Sequence, residues 1–384
     1  MVTLRSDFEC GNGKNVSRLG PDRLSLEVDG DLRDGYASYF CFDLANDGDA
    51  CDVVVEIHPD SALANPAAFI SCFPSTVWVR GNPAFGFRAL EAERVRVVGT
   101  HLEALIPLPA RAAVRVAMTY VAPYSAVSTE LRALAASRPD RASVFSIGAS
   151  VEGRDLLGLR VGVPGMPRVY VVAGQHPHEH SGVWAALGVA DWVSSLLGEA
   201  DELRRALEVW VLPIVNPDGN VRGRNALNAE GVDMYRAFAS APDSPEPEGK
   251  ESRLLWSWVR EAPPALWMNF HSYTGWRQNS EPPYDGWYEV PDETFADPSR
   301  LRMYRSLCDA VRLLTDARST SRDPARHAPG TFCYQMAKRF GIPHVFYEVN
   351  NGTAGAHRGA ERGIRVFRAA AAALVAAQGS GGRA

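Results

Sequence analysis

Lysine is scarce in this 384-residue chain: Lys14, Lys250 and Lys338 are the only three among 40 basic residues, the rest being arginine. Net positive charge is absent as well, the formal balance being -5, so a broadly basic face for nucleic acid is not expected. No window approaches 18 uninterrupted apolar residues, which argues against a membrane-spanning helix. The opening MVTLRSDFECGNGKN has no apolar stretch long enough for a signal peptide, so a cytoplasmic location is expected. Six cysteines (Cys10, Cys41, Cys51, Cys72, Cys308 and Cys333) are scattered without a CxxC pair. They read as reduced, mostly buried thiols, and a cysteine-based zinc site has little support. What is present is ordinary globular composition, 46% apolar and 22% charged, which excludes global disorder. Coding bias accounts for most of the arginine surplus. A few arginines are nonetheless expected to be chemical, because a guanidinium fork grips carboxylates as an ammonium cannot.

Up to about residue 125 the chain reads as short strands rich in β-branched and aromatic residues. RLSLEVDG, YASYFCFDLAN, CDVVVEIHP, STVWVRG, ERVRVVGTHLEALIPL and AAVRVAMTYVAP are punctuated by Gly, Pro, Asn and Asp, as in an antiparallel β-sandwich. Tyr124 to Ser137 turns helical, with Val127, Leu131 and Leu134 at helical intervals. Residues 126–384 then alternate strand and helix, an α/β pattern. RVYVVAG at 168–174, ALEVWVLPIVNPDG, ALWMNFHSY and GIPHVFYEVN are apolar runs suited to buried strands. Helices are expected at Ser181–Leu197, with Ser181 as N-cap, at Leu301–Ala317 and at Gly363–Ala377. Ala239–Arg253 and Gly275–Arg300 read as exposed loops. Ligands in such a fold are expected at the carboxyl ends of the strands.

Three of those strand ends carry unusual side chains. Gln-His-Pro-His-Glu-His places His176 and Glu179 three residues apart just after a buried strand. Asn269-Phe270-His271-Ser272-Tyr273 supplies a distant imidazole, and Phe346-Tyr347-Glu348 a lone carboxylate. Two His and a Glu form a zinc-ligand set that leaves a fourth position open. A separate Glu is then available as a base, while the metal polarises a carbonyl and acidifies its water. A lone HxxE motif is weak; the order of the three groups, all at strand ends of one α/β layer, gives it specificity. His178 and His180 read as first-turn helix residues.

From about Ile147 to Glu348 the chain resembles the zinc carboxypeptidases of the M14 metallopeptidase family. IGASVEGRDLLGLRVG, HPHE, NPDG, GVDMYR, FHSY and GIPHVFYE occur in that family's order. SDFECGN, YASYFCF, MTYVAPYS and QHPHEHSGVW are similar to segments of its cytosolic, glutamate-trimming branch, whose members begin with a β-sandwich. The resemblance implies a mixed sheet flanked by helices over residues 126–384, preceded by an antiparallel sandwich over residues 1–125. It implies one zinc ion held by His176, Glu179 and His271, with Asp233 fixing a ligand tautomer from behind. Glu348 would be general base and then proton donor. Arg224 would stabilise the oxyanion, Arg222 being the nearby competitor, and Arg236 would hold a terminal carboxylate.

Two departures from the family pattern concern the substrate. GVDMYRAF stands where GVDLNRNF is usual, so Tyr235 replaces an asparagine that helps grip the terminal carboxylate. The family's mobile tyrosine has no clear match; His327 in DPARHAPGTFCYQ is the nearest substitute donor, an exposed loop histidine being the alternative. Phe332–Cys333 falls where the family builds its specificity pocket, with Arg322, Arg326, Lys338 and Arg339 as nearby positive charge. These departures spare the metal centre and the base but touch the recognition of a free C-terminus, so the sequence supports amide hydrolysis better than exopeptidase specificity; the expected substrate carries a C-terminal or side-chain amide, glutamate included. An amidase or deacylase acting on a small metabolite is the alternative, and a binding module without turnover a third reading.

Overall fold

The computed structural model describes residues 1–31, 38–63, 76–82, 86–273, 285–314, 318–319, 329–352 and 355–381. Cys72, Arg322, Arg326 and His327 lie outside the described residues.

Among the described residues, ten strands build the N-terminal part. They are β1 Val2–Arg5, β2 Lys14–Gly20, β3 Arg23–Glu27, β4 Cys41–Asn46, β5 Cys51–His58, β6 Trp78–Arg80, β7 Arg88–Ala89, β8 Val95–Val98, β9 His101–Leu108 and β10 Ala112–Ala117. They form two five-stranded sheets, in the orders β1-β4-β10-β6-β7 and β2-β3-β5-β9-β8. Alternation drives the packing: Val53, Val55 and Ile57 of β5 are buried, as are Leu102, Ala104 and Ile106 of β9 and Val114 and Val116 of β10, and both sheets share this core. The sandwich is not wholly antiparallel, because β3 and β5 pair in parallel. The reason is topological: β4 crosses to the other sheet, so the chain returns beside β3 in the same direction.

The remaining strands make one eight-stranded sheet. In chain order they are β11 Ala142–Ala149, β12 Asp155–Gly162, β13 Arg168–Ala173, β14 Glu208–Leu212, β15 Leu266–Tyr273, β16 Gly286–Tyr288, β17 Arg318–Ser319 and β18 His344–Asn350. Their spatial order is β11-β12-β14-β13-β15-β18-β16-β17, with β14, β13, β15 and β18 parallel to one another at the centre. Helices cover both faces. Helices α1 Tyr124–Ser137, α2 His180–Ser194, α3 Gly198–Ala206, α6 Pro298–Leu314 and α8 Ala356–Gly381 share a core with Val171, Met268 and Val345. Helices α5 Lys250–Glu261 and α7 Phe332–Phe340 share another with Tyr170, Trp267 and Phe346 on the opposite face. A short helix, α4 Pro217–Val221, takes up the Asn-Pro-Asp-Gly turn, and Asn216 caps it by accepting from the Gly219 N–H at 3.0 Å.

Several local expectations need correction. Helix α2 begins at His180 with Glu179, not Ser181, at its N-cap. Helix α5 starts at Lys250, inside the stretch read as a loop, because Leu255, Trp256 and Val259 supply a buried stripe. The second loop contains β16, whose Gly286 pairs with Glu348, and α6 begins at Pro298. Among the described residues no helix is long and apolar enough to cross a membrane.

Candidate metal centre

The candidate site forms at the carboxyl ends of β13, β15 and β18. Strand alternation fixes which side chains meet. On β15, Trp267, Asn269 and His271 lie on one face; on β18, Phe346 and Glu348 lie on that same face. The parallel register sets Asn269 beside Phe346 and His271 directly beside Glu348. His176 and Glu179 arrive from the turn between β13 and α2.

Gly182 in the first turn of α2 allows that approach. A Cβ there would lie 2.7 Å from the Phe270 carbonyl oxygen and 3.1 Å from the His271 carbonyl carbon. Gly182→Ala must therefore push α2 off β15 and pull Glu179 away from His271. We expect it to cost about 1–3 kcal/mol of stability and at least tenfold in zinc affinity, measured by thermal denaturation and titration calorimetry.

His176, Glu179 and His271 present ligand atoms all within 4.8 Å of one another, and all three are buried. His176 Nδ1 lies 2.9 Å from Glu179 Oε1, and His271 Nδ1 lies 2.7 Å from Glu179 Oε2. Beyond this contact with each other, neither His271 Nδ1 nor Glu179 Oε2 has a hydrogen-bond partner, although both are buried. Two close, buried, unsatisfied ligand atoms are what a cation between them would satisfy, so this donor set fits zinc.

The far side of each ring is held. His176 Nε2 is 3.1 Å from Asp233 Oδ1, an oxygen that also accepts the N–H groups of Tyr235 at 2.9 Å and Arg236 at 3.2 Å. His271 Nε2 is 3.1 Å from Gln175 Oε1, which accepts from Asn269 Nδ2 at 2.9 Å. Acceptors at both Nε2 atoms favour a proton there, which makes Nδ1 of each ring the atom that would face a metal. Burial alone would lower the pKa of His176, but Glu179 and Asp233 outweigh it and hold the ring well above its usual range. Burial likewise opposes ionisation of Glu179, and His271 and His176 outweigh that to keep it well below the carboxylate range. Asp233 is lowered against its burial by His176 and Arg236. A metal at His176 would compete with the proton that this raised pKa favours. Asp233→Asn, which removes that acceptor charge, is expected to weaken zinc binding about 10–100-fold, read by competition with a chelator of known affinity.

The other sequence candidates fall around this cluster. Tyr235 is buried, its ring centroid 6.2 Å from that of His176 and 5.6 Å from that of His271, and burial raises its pKa well above normal. Arg236 is half-exposed, with Nε 3.7 Å from Asp233 Oδ2. Arg224 Nη1 stands 3.8 Å from Asp31 Oδ1, whereas Arg222 is paired with Glu152 in the β11–β12 turn. Phe332 and Cys333 are fully buried: Phe332 packs on Trp256 and Trp267, and Cys333 Sγ lies 3.8 Å from Asn269 Nδ2. Arg339 is committed to Gln335 Oε1 at 2.7 Å and the Pro242 carbonyl at 2.9 Å, and Lys338 lies over the Tyr334 ring.

His178 and His180 stand outside the ligand cluster. His178 sits in the turn before α2 rather than in its first turn, with Nδ1 against the Asn225 carbonyl. His180 accepts the Ala122 N–H at Nδ1, 3.2 Å, and meets the Tyr39 hydroxyl at Nε2, 3.3 Å. Burial, aided by His178, pushes its pKa down to about 3, so it is a neutral structural imidazole.

The supporting roles of Gln175, Asn269, Asn225 and Asp31 are not visible in the sequence. Gln175 adjoins the HxxE motif, and that adjacency was the one available signal. Asn225 Oδ1 accepts the N–H groups of Ser38 at 3.0 Å and Tyr39 at 2.8 Å, and Asp31 Oδ2 accepts those of Ala226 and Leu227.

A central parallel sheet with a His/Glu/His cluster and a register-matched Glu at its carboxyl edge defines a metal-dependent hydrolase architecture. The zinc carboxypeptidase family model, Peptidase_M14, matches residues 127–338, and the chain belongs to that family. Carboxypeptidase D of Mus musculus is 30% identical over 164 residues, covering 37% of this chain and 12% of that protein. An inactive metallocarboxypeptidase of Ajellomyces dermatitidis is 29% identical over 195 residues, covering 40% and 33%. Cytosolic carboxypeptidase 1 of Danio rerio is 23% identical over 110 residues, covering 28% and 10%. The chain thus spans between about a tenth and a third of the length of these curated relatives. The crystal structure of a metallo-carboxypeptidase from Burkholderia cenocepacia shares the fold throughout: TM-score 0.80, 19% identity, 99% of each chain.

Proposed function

We propose that this chain is a zinc-dependent carboxypeptidase that hydrolyses a C-terminal or side-chain amide, glutamate being the residue of first choice. The observation that carries this reading is the strand register that sets Glu348 beside His271 while His271 shares Glu179 with His176. His176, Glu179 and His271 would hold the ion. When bound, zinc supplies a Lewis acid that polarises the scissile carbonyl and acidifies water. Glu348 takes the proton from water and returns it to the leaving amine. Asp233 and Gln175 keep the ligand rings in one tautomer. Arg224 is assigned to the oxyanion because Arg222 is engaged by Glu152. Arg236 is assigned to the substrate carboxylate, with Tyr235 shaping the floor beside it and His327 as a further substrate contact. The five described cysteines are all free thiols, in keeping with a reducing, cytoplasmic setting.

A second reading, hydrolysis of a small amide metabolite, is favoured by one observation: Tyr235 packs against both ligand imidazoles where an asparagine is usual. The test is a zinc-loaded and a chelated preparation assayed on glutamate-ended peptides beside N-acyl amino acids and simple amides. Zinc-dependent release of C-terminal residues is expected. Turnover of only the small amides would move the assignment to the second reading, and zinc binding without any turnover would indicate a binding module.

A further inference from the structure

A second His/Glu/His cluster lies on a different sheet. In β5, Glu56 and His58 alternate with the buried Val55 and Ile57, so both project from the outer face. Ile57 pairs with Leu102, which places His101 opposite His58 on the neighbouring antiparallel strand β9. The two rings approach with centroids 4.6 Å apart. His58 Nε2 is 3.1 Å from Glu56 Oε2, and His101 Nε2 is 3.9 Å from the same oxygen. All three residues present ligand atoms within 4.8 Å of one another.

Two details separate this arrangement from a chance surface cluster. Arg23 takes the other oxygen, Glu56 Oε1, at 2.5–2.6 Å, which orients the carboxylate and turns Oε2 toward the imidazoles. His101 Nε2 is buried and makes no hydrogen bond, its nearest carboxylate oxygens being Glu103 Oε1 at 3.6 Å and Glu56 Oε2 at 3.9 Å. His58 is thus hydrogen-bonded to Glu56, while His101 Nε2 faces the carboxylates of Glu56 and Glu103 without a hydrogen bond to either. Glu103 beside them is engaged by Arg23 and Arg96, so the two carboxylates and two guanidinium groups balance.

We propose that Glu56, His58 and His101 form a second site for a divalent transition metal, zinc in particular, with water completing the coordination. Two imidazoles and one carboxylate suit that ion, and a carboxylate held by a second hydrogen-bonding group is usual around such sites. Arg23 competes for Glu56, so the site is the weaker of the two in the chain. Its bound ion would clamp β5 to β9 and take no part in the chemistry at His176.

The experiment is zinc titration of the full-length chain by calorimetry, with metal content measured after gel filtration. Two equivalents are expected, one tight and one weak. His58→Gln with His101→Gln should abolish the weak equivalent, leave the tight one, and remove the part of the zinc-induced rise in Tm that depends on it. His271→Ala should do the reverse, so loss of the reaction-site metal and loss of this one are separable. A weak equivalent that persists in the double variant, or a wild-type chain that takes up no second equivalent, would overturn the proposal. Should the double variant fail to fold, Glu56→Gln keeps both rings and is expected to weaken the second equivalent at least tenfold; unchanged affinity would count equally against it.

Discussion

Replacing Glu348 by Gln is expected to lower kcat about 1,000-fold, the range in which a positioned general base works, while zinc content stays at the wild-type level. The side chain is buried at the end of β18, between β15 and β16, and its neighbour across the ladder is His271 of β15. Gln keeps the shape and burial of Glu but cannot take a proton, so the fold has no reason to respond. Metal analysis and steady-state kinetics on one preparation give both readouts. Hydrolysis at an undiminished rate would remove Glu348 from the mechanism, whatever the metal does.

The second large effect is expected at a residue outside the eight-stranded sheet. Asp31→Ala should destabilise the protein by about 2–5 kcal/mol, because two buried N–H groups, of Ala226 and Leu227, lose their acceptor. It should also lower kcat, since Asp31 is the carboxylate 3.8 Å from Arg224. Arg224→Ala marks the ceiling of the catalytic part, about 3–4 kcal/mol of transition-state stabilisation if it serves the oxyanion. Denaturant unfolding separates the two contributions: Arg224→Ala should leave the midpoint near wild type, and Asp31→Ala should shift it strongly. An Asp31→Ala protein with wild-type stability and rate would show that the loop carrying Arg224 holds itself.

The ligand candidates were legible because they are local or sit on regular elements. His176 and Glu179 share one turn of chain, and His271 and Glu348 end apolar runs whose strand character is plain. The central sheet was legible for the same reason, since β13, β15 and β18 are buried on both faces. The supporting residues were not. Gln175, Asn225 and Asp31 are short polar side chains whose roles depend on partners tens to hundreds of positions away, and nothing in their own neighbourhood announces burial. The parallel β3–β5 pair escaped for a related reason: alternation shows which face a strand buries, not which neighbour it takes. The start of helix α5 is hidden in the sequence because Lys250, Glu251 and Ser252 are polar, although Glu251 and Ser252 are buried. Tyr235 stands out in the sequence as a departure from a motif, but its packing on two imidazoles depends on the bridge between Leu227 and Asp233 in this segment.

The segment from Met118 to Pro123, where strands give way to helix, has the look of a flexible joint. It is bolted on both sides. Ala122 donates to His180 and accepts from Asn220, and the Tyr124 N–H is held by Asn220. Asn12 reaches Gly223, Cys10 reaches Val221, and Thr119 reaches Asn351. A swing of the N-terminal sheets would break these contacts together, at about 1 kcal/mol for each hydrogen bond. As a hinge this joint is therefore costly: the sheets and the helix-covered layer are tied together there rather than merely adjacent.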